Sequence, residues 1–402
     1  MRGLSEIEAA AVEHCAAAPM LDQVTAWAAV NSGSGNLDGL ARVAAMLADE
    51  FSALGEVAMR EPAPVEAMEA DGALAAVAHG KNLHVKVRPE APVQLLLTGH
   101  MDTVFAADHP FQKLHWREEG VLGGPGVADM KGGIAVMLAA LKAFEASPLA
   151  ERLGYEVVIN SDEEVGSPGS APLLAEAARG KRAALTYEPS ALPDGTLAGA
   201  RPGSGNFSLF VEGRSAHAGR NPEEGRNALL AAADLALRLA EARDAGLKVN
   251  PARIDGGGPN NVVPDKAVLR LNLRPTGPQD QQRAQKLVDE AVAAVAAAHD
   301  VAIRVHGGFG RPPKPLDAEA EALFALVRRC GADLDQDIGW RDTGGVCDGN
   351  NIAACGVPVV DTMGVRGGAI HSDAEYLIVE SLAERARLSA LVLLRLANKE
   401  EL

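Results

Sequence analysis

Five short stretches of this chain place histidine or carboxylate side chains where they could hold a cation or move a proton. His100-Met-Asp102 follows an apolar run, and residues two apart on extended chain point the same way, so an imidazole and a carboxylate would share one face. A metal ligand with its orienting acid fits that pair, and so does a buried, hydrogen-bonded histidine. Asp129 lies in Gly123-Gly-Pro-Gly-Val-Ala-Asp-Met-Lys-Gly-Gly133, whose glycines let the backbone pass close to a ligand. A helix N-cap is the plainer use of such an aspartate. Ser161-Asp-Glu-Glu-Val-Gly166 crowds three acids, which raise one another's pKa unless a cation lies between them. Glu188 has its following backbone fixed by Pro189. Ala369-Ile-His371-Ser-Asp373 offers an imidazole ligand, or a cap from Ser372 or Asp373. As a set, two histidines and several carboxylates are the donors that zinc accepts, and less often cobalt or manganese. One carboxylate can bridge two ions about 3.5 to 4 Å apart, and such a pair activates water for attack on a carbonyl.

These side chains need elements to carry them. The runs 93–98, 155–160 and 183–187 read as buried strands and 131–146 and 172–178 as helices. An opening helical region reaching about Phe51 is broken by the polar loop Asn31 to Asn36. Alternating strands and helices predict an α/β fold, a mixed sheet flanked by helices, with the candidate ligands at the carboxyl ends of strands, where open sheets bind ligands. The rhythm then changes to strand 206–212, helix 225–243, strands 252–255 and 267–273, helix 279–298 and strand 301–306. That βαββαβ order is ferredoxin-like and complete in itself. Gly/Pro-rich runs at 194–205 and 307–315 bracket it, so 202–313 reads as an α+β domain inserted into a discontinuous catalytic domain of 1–201 and 314–402. Helix 317–330, a strand at 357–361 and an amphipathic helix over 379–398 complete the latter.

Composition narrows the function further. A formal charge of -16 without a basic cluster excludes a nucleic-acid-binding face. The four cysteines include no Cys-x-x-Cys pair, which argues for reduced thiols rather than a disulfide framework. The acidic opening residues lack a secretory pattern, and no apolar run approaches the roughly 18 residues of a membrane span. A cytoplasmic protein without membrane or nucleic-acid partners is expected.

The motifs GHMDTV (99–104), GVADMKGG (126–133), SDEEVGS (161–167), YEP (187–189) and HSD (371–373), in this order, resemble the two-zinc exopeptidase and deacylase family over nearly the whole chain. That family includes carboxypeptidase G, acetylornithine deacetylase, succinyl-diaminopimelate desuccinylase and aminoacylase, and the motifs look most like those of carboxypeptidase G. The resemblance implies two Zn2+ per subunit, with Asp129 bridging, His100 and Glu188 completing one site, and Glu164 and His371 the other. It implies that Asp102 orients His100 and that Glu163 is the general base acting on metal-bound water or hydroxide. The inserted domain would serve as lid and dimerisation domain. His217, in Gly213-Arg-Ser-Ala-His-Ala-Gly219, would reach the partner subunit's active site of a homodimer and steady the oxyanion. Asn261, Arg274 and Arg311 look like the family's clamp for a substrate carboxylate. The implied reaction is hydrolysis of the amide of an N-acyl amino acid or small peptide with a free carboxylate. A ureido or other non-peptide amide is the enzymatic alternative, and a non-catalytic metal-bound binding protein the other. Two departures from carboxypeptidase G bear on substrate: the absent export signal, and Cys347 where a threonine stands, a thiol being the weaker donor.

Overall fold

A computed structural model describes residues 3–398. Leu95, Leu96 and Leu97 are all fully buried, yet they pack into two different clusters, because successive side chains of a strand face opposite sides of the sheet. This double burial explains why strand Val93–His100 reads as one unbroken apolar run. It lies inside a six-stranded mixed sheet with strands in the order Val57–Arg60, Asn82–Val87, Leu153–Asn160, Val93–His100, Ala183–Thr186, Val359–Val360. The last four run parallel, while the first two add antiparallel edges. One face is covered by helices Gly133–Glu145 and Glu380–Ala397 with the N-terminal helices, and the other by Ala171–Ala178 and Asp348–Ala353. Helix Gly133–Glu145 is apolar nearly all round and sits wholly within the core, each buried Leu, Ile or Phe contributing about 1.5–3 kcal/mol. The expected mixed sheet flanked by helices is therefore present.

A second, antiparallel sheet has the order Leu247–Gly256, Lys266–Pro275, Ser204–Glu212, Ala302–Arg311. Helices Ala228–Glu241 and Pro278–His299 cover one face around a separate core that includes Phe207, Leu235 and Leu271. Two strands run further than their sequence suggests. Gly307, Gly308 and Gly310 read as a loop, but pairing with Ser204–Glu212 carries the strand on to Arg311. At Gly307, φ is +89° and a Cβ would meet the Asn206 carbonyl, so glycine is required there by close backbone approach. The strand read as 252–255 begins at Leu247, continuing through Pro251 by way of a bulge on a sheet edge. Cys15, Cys347 and Cys355 are free thiols.

A hairpin at Val65–Met68 and Leu74–Val77 and a small sheet of Gly367–Gly368, Tyr376–Ile378, Val121–Gly123 and His115–Glu118 were not evident from periodicity, being too short to show a pattern. The small sheet matters most. Pairing of Tyr376–Ile378 with Val121–Gly123 draws the loop carrying His371 against the loop carrying Asp129.

The main sheet also holds an acid-sensitive contact. Glu156 accepts hydrogen bonds from His84 Nε2 at 2.7 Å and Lys181 Nζ at 2.7 Å. Burial alone would raise its pKa, but these partners outweigh burial and hold the carboxyl at about 2. An unfolded glutamate titrates near about 4.3, so this stabilisation is present above that pH and is lost as pH falls towards about 2. Glu156→Gln should thus show a smaller fall in melting temperature between pH 5 and pH 2 than the parent protein, as followed by circular dichroism.

Candidate metal centre

The parallel strands end side by side, so the loops after them converge. His100 is the last residue of its strand and is buried. Its Nδ1 donates to the Asp102 carbonyl at 3.0 Å and lies 3.3 Å from Asp102 Oδ1, leaving Nε2 as the free donor towards the site. That nitrogen is 3.1 Å from Asp129 Oδ1 and 3.7 Å from Glu188 Oε2. The other oxygen of Asp129 faces His371 Nε2 at 3.3 Å, which is in turn 3.1 Å from Glu164 Oε2. One carboxylate therefore stands between two imidazoles, each accompanied by its own glutamate. Asp129 is not the cap of the helix that follows, since Gly132 occupies the N-cap position of helix Gly133–Glu145. Nor does Ser372 cap a helix, since its hydroxyl closes a local turn by donating to the Ala369 carbonyl.

Asp102 does more than orient His100. Its carboxylate also accepts from the backbone N–H of Glu163 at 3.2 Å and Glu164 at 3.1 Å, and from Ser34 Oγ at 2.7 Å. The buried aspartate thus ties the histidine strand to the glutamate turn. Glu163 differs from its neighbour, because Arg311 Nη2 lies 2.6 Å from its Oε1 and donates to its carbonyl at 2.8 Å. Pairing with a guanidinium distinguishes Glu163 from the groups around Asp129, although its carboxylate also lies within 4.8 Å of the ligand atoms of His100 and Glu188, close enough to share an ion.

The electrostatics are those of a site short of positive charge. Burial pushes Glu188 up to about 7, with His100 pulling against it, and burial together with Asp129 raises Glu164. Hydrogen bonds to Asp129 and Glu164 lift His371 to about 11. The protons that these shifts retain stand where cations would otherwise neutralise the acids. Glu188 Oε1 is buried without a hydrogen-bond partner, an expensive state that a metal ion relieves. The donor set of imidazole nitrogens and carboxylate oxygens fits two divalent ions of the zinc type.

Two contributors escaped sequence reading. Glu375 accepts the backbone N–H groups of Gly126, Ala128 and Asp129 at 3.2, 3.0 and 3.1 Å and so shapes the Asp129 loop. Ser34 lies in a Ser/Gly-rich stretch that reads only as a loop; its small polar composition was the available signal. Glu375→Ala should strand three buried donors and weaken metal affinity by about 10–100-fold, measured by competition with a chelating dye.

Beyond the ligands, a cleft of about 1090 Å3 brings Arg274 and Arg311 together with Glu163, Glu164 and His371. Arg274 donates to Asn272 Oδ1 at 3.0 Å and to the Gly344 carbonyl at 3.0 Å. His217 and Asn261 do not line this cleft. They lie exposed, next to each other, where the Ala218 N–H donates to the Asn261 carbonyl at 3.0 Å and the His217 ring accepts from the Gly219 N–H at 3.1 Å.

The sequence profile of peptidase family M20/M25/M40 matches residues 96–395, which span every one of these ligands. The chain belongs to that family. It is 30% identical to carboxypeptidase G2 of Pseudomonas sp. (strain RS-16) over 375 residues, 91% of this chain and 86% of the relative. Succinyl-diaminopimelate desuccinylase of Xanthomonas oryzae pv. oryzae (strain PXO99A) is 30% identical over 319 residues, covering 73% and 80%. Among solved structures, the Bacillus subtilis YXEP protein, a dinuclear metal-binding peptidase of family M20, superposes with a TM-score of 0.65 at 14% identity, covering 95% of this chain and 98% of that one. As an M20 protein the chain is a metallohydrolase of the peptidase and deacylase class. Among the described residues, no helix is long and apolar enough to cross a membrane.

Proposed function

We propose that this M20 enzyme hydrolyses the amide bond of an N-acyl amino acid or small peptide with a free carboxylate. The carrying observation is Asp129, whose two oxygens face His100 and His371, while Glu163, beside His100 and Glu188, is paired with Arg311. In this reading His100, Asp129 and Glu188 hold one zinc ion and Asp129, Glu164 and His371 the other. When bound, the two ions polarise the scissile carbonyl and acidify water. Glu163 takes the proton from the attacking water and returns it to the departing nitrogen. Burial pushes its pKa well above the usual carboxylate range, with Arg311 pulling the other way, which suits a base that must also give the proton back. Arg311 and Arg274 offer planar forks to a substrate carboxylate in the cleft.

The reading extends to a lid and homodimer built from residues 202–313. Supporting it, Leu230 and Leu237 are 61% and 65% exposed on one face of helix Ala228–Glu241, which packs against the open edge strand Leu247–Gly256. An apolar face beside an unpaired strand edge is an interface waiting for a second copy. His217 and Asn261, outside their own chain's cleft, would then enter the partner's. Sedimentation should show a dimer, and Leu230→Arg combined with Leu237→Arg a monomer with greatly reduced activity; a fully active monomer would refute the arrangement.

Purified zinc-loaded protein, assayed against acyl amino acids, dipeptides and ureido compounds, tests the reaction itself. Turnover of the first two classes is expected. Turnover of ureido compounds alone would replace this reading with its alternative.

A further inference from the structure

The second sheet turns one face to its two helices and the other to the cleft, because successive residues of a strand point to opposite sides. Strand pairing sets out four rows on the cleft side. Ser204 stands beside Arg311 in the first, Asn206 beside Asn272 in the second, Ser208 beside Arg270 and His306 in the third, and Phe210 beside Val268 in the fourth. The three polar rows line the cleft, whereas the apolar fourth is covered. Its cover is the hairpin of Val65–Met68 and Leu74–Val77, whose Met68 forms a buried cluster with Phe210 and Val268. The turn of the hairpin lies just as close: Gly72 has φ +84°, and a Cβ there would stand 2.4 Å from the Phe210 ring.

Hydrogen bonds fasten the hairpin to the same rows. Arg270 Nη2 donates to the Met68 carbonyl at 2.8 Å, His306 Nε2 to the Glu66 carbonyl at 3.0 Å and Arg304 Nη2 to the Gly72 carbonyl at 2.9 Å. The other nitrogens of Arg270 are bonded to Asp255 at 2.8 Å and Ser208 at 3.2 Å, so its guanidinium holds a wall together and is not spare for a ligand. At the root of the hairpin the Ala63 N–H donates to the Gly169 carbonyl at 2.8 Å, shortly after the turn that carries Glu163 and Glu164. Glu66, Ala67 and Met68 themselves line the cleft. We propose that this hairpin is the end wall of the substrate channel and limits how far a substrate can extend from the metal centre along the second sheet. From Ser204, paired with Arg311 beside Glu163, to Ser208 at the hairpin is about 14 Å at about 3.4 Å per residue, room for at most about four extended residues. The proposal rests on the amide hydrolysis put forward above and deepens it. Arg274 and Arg311, offered there to a substrate carboxylate, line this cleft, so the part facing the hairpin is the departing amino acid or peptide. The hairpin thereby selects substrates that release a short amine product.

Val65 and Val77 are paired, so residues 66–76 can be exchanged for Asn-Gly, a two-residue turn. The metal-loaded parent and this shortened variant are compared by acetate release from N-acetylalanine and from the same compound extended at its carboxyl end by two or by six glycines. For the parent, kcat/KM should fall at least about tenfold between two and six glycines, and for the variant less than about threefold, as expected when a steric stop is removed. If the shortened chain does not fold, as judged by thermal melting, Gly72→Val takes its place, since a side chain at this position collides with Phe210 and should displace the hairpin in the full-length chain. Calorimetry of the same series on metal-loaded Glu163→Gln reads length without turnover and should show the same step, which the hairpin variants abolish. Equal length dependence in the parent and the hairpin variants, or none in the parent, overturns the proposal. If no acyl compound is cleaved, the proposed reaction fails, while the length step in binding still decides the role of the hairpin.

Discussion

Glu163→Gln should lower kcat by about a thousandfold or more, while elemental analysis still finds two metal ions per subunit. Glutamine keeps the size of the side chain and its oxygen can still face Arg311, which lies 2.6 Å from Oε1. The backbone N–H of Glu163 would remain bonded to Asp102, so the turn carrying Glu164 should hold its shape. What the amide cannot do is take up a proton and deliver it to a leaving nitrogen. A large loss of turnover with intact metal binding is therefore the signature of a base rather than a ligand. Activity within tenfold of the parent protein would remove Glu163 from the mechanism, and loss of one ion would make it a ligand after all.

Asp129→Ala should have the second large effect, on metal binding as well as on rate. Both oxygens of this carboxylate are committed, one towards His100 at 3.1 Å and one towards His371 at 3.3 Å. No neighbouring acid makes both contacts, since Glu188 lies 3.7 Å from His100 and Glu164 3.1 Å from His371, although Glu164 also offers an oxygen within 4.8 Å of a His100 ring nitrogen. Removing Asp129 should uncouple the two positions, leaving at most one ion at micromolar zinc and no measurable turnover. Stability provides an independent readout. Zinc at about 100 times its dissociation constant stabilises the folded state by about 2.7 kcal/mol per site, so zinc should raise the melting temperature of the parent protein by several degrees. The variant should gain much less. If it retained two ions and the full zinc-dependent rise, Asp129 would not be the bridge.

Much of this centre was legible before any fold was known. Strands such as 93–100 and 153–160 announce themselves as apolar runs because both of their faces are buried, and His100 closes its strand while Glu164 and Glu188 stand a few residues beyond theirs. Asp162, Glu163 and Glu164 are crowded in sequence, but the fold sends them apart: Asp162 bonds to Gly169 and Ser170, Glu163 faces Arg311 and Glu164 faces His371. The order βαββαβ was legible too, although strand ends were not, since the glycines of 307–310 are extended only because a neighbouring strand pairs with them.

Other features depended on which distant segments meet. His371 reaches Asp129 because Tyr376–Ile378 pairs with Val121–Gly123, and so short a strand has no periodicity to read. Glu375 looks like an ordinary acid until three buried N–H groups are found pointing at it. Arg311 lines the cleft, but only the folded chain shows that its guanidinium also lies against Glu163. Arg201, Lys314 and Asp361 carry no motif, and only their meeting in the fold makes them one buried ion cluster. Residue chemistry and local periodicity belong to the sequence, because they need only neighbours along the chain. Charge balance, desolvation and the meeting of loops belong to the tertiary structure, because each depends on groups far away in sequence.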